Sequence, residues 1–100
     1  MSAQNPRAEG VHERLAGLLD KDVVLDTRGP IVYLGTLSLV DAFFFTLVDV
    51  DVHDMLDGRT PKEKYILDAR KSGIKINRAR VLVRRDEVVS FSLLEDVIDF

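Results

Sequence analysis

Apolar positions recur at helical spacing only near the start of the chain; from residue 22 onward they fall into short extended runs broken by turn residues. Val11, Leu15, Leu18 and Leu19 stand at i, i+4, i+7 and i+8, one stripe of a helix over 6–19, with Asn5 as N-cap and Pro6 at the first helical position. Strands are expected at about 22–28, 31–41, 43–53, 75–84 and 87–94. The first, "DVVLDTR", ends at the turn pair Gly29-Pro30. The second puts Ile31, Tyr33, Gly35, Leu37 and Leu39 on one face and Thr36 and Ser38 on the other, with a bend at Gly35. The third alternates Thr46, Val48, Val50 and Val52 against Leu47, Asp49, Asp51 and His53, so half of it is expected to face water.

Residues 54–74 interrupt the run of strands. Within them "TPKEKYILDARKSG" carries Thr60 and Glu63 at capping-box spacing, Pro61 at the first position and Gly73 as a stop. These signals predict a helix over 61–72, projecting from the strands as an insert. The runs "IKINRARVLV" and "EVVSFSLL" follow, separated by the charged turn Arg84 to Glu87, and "EDVIDF" makes an acidic tail. A helix followed by five strands, one strongly bent, predicts an all-β fold with an N-terminal helix: a small, open, SH3-like barrel, with the insert between strands three and four and a single domain over 1–100.

Charge narrows the partners. The 100 residues are 46% hydrophobic and 31% charged, enough for one core. A net charge of −3 gives no general attraction to polyphosphate, so any nucleic-acid contact must come from a local basic cluster. Arg78, Arg80 and Arg84 lie at period two with Arg85 beside them. That stripe suits phosphates, and it equally suits an edge strand guarded against aggregation. With no cysteine there is no disulfide or thiolate metal site, and no apolar run is long enough for a bilayer. The expectation is a cytoplasmic protein without a membrane partner.

The order helix, "VVL", "GTLSLVD", "FFFTLVDV" and "RARVLVRRDEVVSF" resembles the Sm or Sm-like family over nearly the whole chain apart from residues 54 to 74. Gly35, Leu37 and Asp41 stand in its G-x-L-x-x-x-D core, and Arg84 stands where its second motif has Arg. The resemblance implies a homo-oligomeric ring, from roughly five to seven subunits, that binds single-stranded RNA. It implies that Asp41 orients a loop, Phe43 stacks on a base and Phe45 replaces the base-reading Asn. That replacement resembles the bacterial RNA-chaperone branch, whose Tyr-Lys-His motif is absent here. Arg85 stands where Gly is usual, which calls for a different turn or an altered pocket. With Arg78 and Arg80, these residues form the candidate RNA site. The plainer reading of Phe43, Phe44 and Phe45 is that aromatic strand residues pack both faces of a half-covered sheet.

The acidic cluster "DVDVHDMLDG" fails as a calcium loop, because the sixth and twelfth positions counted from Asp49 are Asp54 and Thr60 where Gly and Glu are required. Asp49, Asp51 and His53 on one strand face would suit a hard metal or a general base, or simply a solvated face. His12 beside Glu13 reads as surface. No nucleophile elbow, Gly-rich phosphate loop or zinc motif occurs, so no cofactor, resident metal or catalytic residue is assigned. Three readings stay open: an RNA-binding ring with weak or altered base recognition, an oligomeric scaffold of the same fold without RNA binding, and a metal-dependent enzyme using Asp49, Asp51 and His53.

Overall fold

The computed structural model describes residues 6–8, 13–56 and 60–99. A 3-10 turn at Pro6–Ala8 precedes a short helix, α1 (Glu13–Ala16), and five strands follow: β1 (Asp22–Thr27), β2 (Ile31–Val40), β3 (Phe44–Asp54), β4 (Arg78–Arg84) and β5 (Val88–Leu93). Helix α2 (Lys62–Ser72) lies between β3 and β4. All neighbours in the sheet are antiparallel, in the order β4-β3-β2-β1-β5, so β4 and β5 are its two edges. This is the open five-stranded sheet expected from the sequence, with a short helix before it and a helix between β3 and β4.

Of the helix expected over 6–19, the described residues form the 3-10 turn Pro6–Ala8 and the single turn of α1, and the chain leaves helical geometry before residue 19. Asn5, Val11 and His12 lie outside the described residues. Helical geometry stops at Gly17, the residue most costly to hold in a helix interior short of proline. Asp20 then takes φ 66°, and its N–H donates to the Leu37 carbonyl at 2.7 Å. The chain is thereby handed from helix to sheet, and Arg7 closes the turn on the Asp20 carboxylate at 2.7 and 2.8 Å.

Two extra residues bend the sheet, and they correct the faces expected from strict alternation. Register with β3 slips on the β2 side at Ser38, between the pairs Leu37–Leu47 and Leu39–Thr46. It slips on the β3 side at Asp49, between Thr36–Val48 and Leu34–Asp51. Asp49 takes φ 52°, the left-handed conformation that opens such a bulge. Each inserted residue reverses which side of the strand faces inward. On β2, Tyr33 and Leu37 keep the expected face, the slip at Ser38 puts Val40 there in place of Leu39, and Val32 and Leu34 are buried on the opposite face. On β3, Phe45 and Leu47 point in before the bulge and Asp51 is buried after it.

The two faces of the sheet carry separate cores. One core joins Leu15 and Leu19 of the N-terminal segment to Val23, Leu25, Leu37, Val40, Phe45, Leu47, Val50 and Val83. The other joins Val24, Val32, Leu34 and Leu94 to Ile66 and Ala69 of α2. The insert does not project: α2 covers the second core, and Lys62 reaches across to Asp26 at 2.9 Å. Nor does Thr60 cap it. Pro61 occupies the cap position with φ −57° and ψ 147°, without a side-chain cap bond. The stop does fall at Gly73, whose φ of 92° suits glycine and whose N–H returns to the Ala69 carbonyl at 2.8 Å.

Candidate nucleic-acid interface

The β2–β3 loop and the β4–β5 turn meet at one end of the sheet. Asp41 shapes the loop: its Oδ1 accepts the N–H groups of Phe43 and Phe44, each at 2.8 Å, and its own N–H donates to the Phe44 carbonyl at 3.0 Å. This Asx turn is the local reason an acid precedes the aromatic run. Those two N–H donors, with the nearby Arg85 charge, hold the Asp41 carboxyl below the usual carboxylate range. The turn leaves the Phe43 ring 73% exposed, Phe44 half-buried and Phe45 in the core.

Arg85 locks the two segments together. Its N–H donates to the Phe43 carbonyl at 2.8 Å, its Nη1 donates to the Asp41 carbonyl at 2.6 Å, and its guanidinium stands 5.8 Å from the centre of the Phe45 ring. The different turn expected from Arg in place of Gly is a 3-10 turn, Arg85–Glu87, which needs no positive φ. Phe45 is 3% exposed and packs on Phe91 with ring centres 5.9 Å apart. Its side chain therefore underlies the site and presents no surface to a ligand.

Beside Phe43 a shallow cavity of about 220 Å³ is lined by Ala42, Phe43, Phe44, Arg84, Arg85 and Asp86. Arg84 points outward, its Nη2 on the Asp86 carboxylate at 2.7 Å. The structure thus brings Asp41, Phe43, Arg84 and Arg85 together over Phe45. It does not bring in Arg78 and Arg80. They pair along β4 with Val50 and Val48, and at strand rise Arg78 lies about 20 Å from Arg84. The acidic tail does not reach this stripe through Asp99, which pairs with Lys71 of α2 at 2.8 Å. That pairing holds the Asp99 carboxyl low.

At the other end of β3 the trio Asp49, Asp51 and His53 does not share a face, because the bulge turns Asp49 out to solvent while Asp51 is buried. Among the described residues no group of three His, Cys, Asp or Glu side chains is placed to hold a metal. Asp51 instead accepts the Tyr65 hydroxyl at 2.5 Å and the Asn77 amide at 3.0 Å, and Tyr65 stacks on His53 with ring centres 4.1 Å apart. Tyr65 and Asn77 were not marked by sequence spacing. They reach Asp51 only through the long connection around α2, and no local pattern encodes that return.

The fold has a solved counterpart. The structure of the Sm protein of Pyrococcus abyssii in complex with a uridine heptamer matches with a TM-score of 0.56 over 90% of this chain and 99% of that one, at 17% sequence identity. No family model matches the chain, and no curated protein matches its sequence. At that identity the likeness establishes the Sm-like fold and leaves the site to its own chemistry.

Proposed function

We infer that this chain is an Sm-like ring protein that holds single-stranded RNA at the Asp41–Phe43–Arg84–Arg85 site, with altered base recognition. The observation that carries the reading is the exposed Phe43 ring, set by Asp41 and buttressed by Arg85, next to the outward guanidinium of Arg84. An aromatic platform beside a cation is the minimal chemistry for stacking one base and contacting its phosphate. The solved Sm protein with the same fold carries a uridine heptamer, which favours the same ligand class here. Phe45 offers no hydrogen bond to a base edge, so affinity should depend on stacking and charge more than on base identity. The Arg84–Asp86 pair is exposed on both sides, and a pair of that kind is worth little, so a phosphate can displace the carboxylate.

The test is a titration of a fluorescent U-rich decanucleotide at low salt. Wild type should bind, Phe43→Ala should weaken binding about 5- to 150-fold, the equivalent of one stacked base, and Arg84→Ala should reduce its salt dependence. The second reading, a scaffold without RNA binding, is favoured by Asp86, which already occupies Arg84. No binding by wild type would establish that reading, and equal binding by all three proteins would remove Phe43 and Arg84 from the RNA contact.

A further inference from the structure

Asp51 is 6% exposed, the one charged residue buried among the described residues. Its partners are neutral: Oδ2 accepts the Tyr65 hydroxyl, and Oδ1 accepts the Asn77 Nδ2 at 3.0 Å. Among the described residues, none of the ion pairs includes Asp51. A buried carboxylate held by neutral donors alone carries a desolvation penalty that no countercharge offsets. Both donors are themselves fixed. Asn77 is clamped to β3, its Oδ1 accepting the Val52 N–H and its Nδ2 donating to the Val52 carbonyl, each at 3.0 Å. Tyr65 is stacked on His53, and burial, reinforced by Asp51, pushes its hydroxyl well above the ordinary phenol range, so it remains a donor. Each carboxylate oxygen still has a lone pair to offer.

A cavity of about 510 Å³ opens on this group between α2 and the end of β3. Tyr65, His53 and Ala69 supply aromatic and apolar wall, and Ser72 and Thr60 supply hydroxyls. The other charged liners are Asp68, already paired with Lys64 at 3.0 Å, and Lys75. The volume lies in the range of about 300–1,000 Å³ that holds small molecules. Two carboxylates against one amine disfavour an anion, while donors that fork onto a carboxylate and an apolar stem that lies on aromatic wall suit an alkylguanidinium or alkylammonium.

We propose that the cavity bounded by Asp51, Tyr65 and Asn77 binds a small organic cation, a guanidinium or primary ammonium group seated on the Asp51 carboxylate. The site lies at the opposite end of β3 from Phe43, so it is separate from the proposed RNA contact. The cation is either a free alkylguanidine or the side chain of a polypeptide. Agmatine stands for the first, and arginine blocked at both its amino and carboxyl ends stands for the second.

Nuclear magnetic resonance of the full chain tests this through the Asn77 side-chain amide and the Tyr65 ring. Millimolar methylguanidinium and agmatine should shift both, and methylurea, the neutral isostere, should not. Asp51→Asn keeps acceptor capacity and loses the charge, so it should bind agmatine about tenfold more weakly or worse. Tighter binding of blocked arginine than of agmatine would assign the cation to a polypeptide, and the reverse to a free amine. Equal shifts from methylguanidinium and methylurea, no shift from any cation, or unchanged binding by a folded Asp51→Asn would overturn the proposal. The charged and neutral pair on wild type decides the matter even where the variant does not fold.

Discussion

The Arg85 guanidinium donates to the main-chain carbonyl of Asp41 at 2.6 Å, so one side chain from the β4–β5 turn fixes the loop that displays Phe43. Arg85→Ala removes this bond and the cation near the Phe45 ring, and leaves a partly buried carbonyl without its donor. The expected loss is about 1–3 kcal/mol in urea denaturation, the range for an unsatisfied buried acceptor. Arg85→Lys keeps the charge but not the planar fork and should recover only part of it.

Asp41 gives a pH signature. Its folded carboxyl is held below the usual range by the Phe43 and Phe44 N–H groups, so its contribution is complete above the unfolded value of about 3.9 and is lost as pH falls through the lower folded value. The group is exposed, so the effect is local to the loop. Amide resonances of Phe43 and Phe44 should move together in an acid titration from pH 5 downward. Asp41→Asn retains an acceptor oxygen and should abolish that titration while keeping the turn; persistence of the transition in this variant would exclude Asp41 as its source.

The bend in the sheet rests on Gly35 and Asp49. A Cβ on Gly35 would stand 3.2 Å from the Val48 carbonyl oxygen and 3.2 Å from the Val50 Cγ2, and the first of these is main chain that cannot rotate away. Gly35→Ala should destabilise by about 1–3 kcal/mol, the usual effect of overpacking. Asp49, exposed and at φ 52°, should respond in the opposite sense: Asp49→Gly should be neutral or stabilise by up to about 1 kcal/mol, and Asp49→Val should destabilise. Thermal unfolding of the three variants checks both signs.

These two residues also mark how far the sequence could be read. Strand count, the bend at Gly35 and the helix ending at Gly73 were legible because turn residues and apolar runs are local signals. The faces of β2 beyond Ser38 and of β3 beyond Asp49 were not. Alternation assumes one residue per step, and the extra residues at Ser38 and Asp49 each invert it without changing composition. The same holds at the site. Asp41 and Phe43 were singled out by the family resemblance, whereas burial of Phe45 and the meeting of Asp51 with Tyr65 and Asn77 depend on long-range packing.

The insert is a wall of the second core, and its removal should be felt throughout. Replacing residues 55–73 by a short Gly-containing turn would uncover Val24, Val32, Leu34 and Leu94, which Ile66 and Ala69 now cover. Loss of the cooperative thermal transition, with dye binding to exposed apolar surface, is expected; a stable barrel after the deletion would show that α2 is dispensable. Tyr65→Phe is the milder probe. It deprives Asp51 of one donor and should cost about 1–3 kcal/mol.

The last prediction concerns the sheet edges. Phe91 belongs to the inner face, packed on Phe45, yet it remains 42% exposed because the sheet ends at β5. Val89 on β5 and Leu82 on β4 are 61% and 56% exposed. Two unlike, unpaired edges invite head-to-tail addition of a neighbour's strand, and such a heterologous contact closes into a ring when the rotation permits. Their charges are complementary: β4 carries Arg78, Arg80 and Arg84, while Asp86, Glu87, Glu95 and Asp96 flank β5. Light scattering should therefore give a discrete mass several times 11.3 kDa. Val89→Lys sets a cation against the basic edge and buries an amine in the junction, so it should shift the population toward monomer without lowering the helix and strand signal in circular dichroism. Wild type that runs as an 11.3 kDa monomer at micromolar concentration would remove the ring, and with it the multivalent RNA contact that a ring provides.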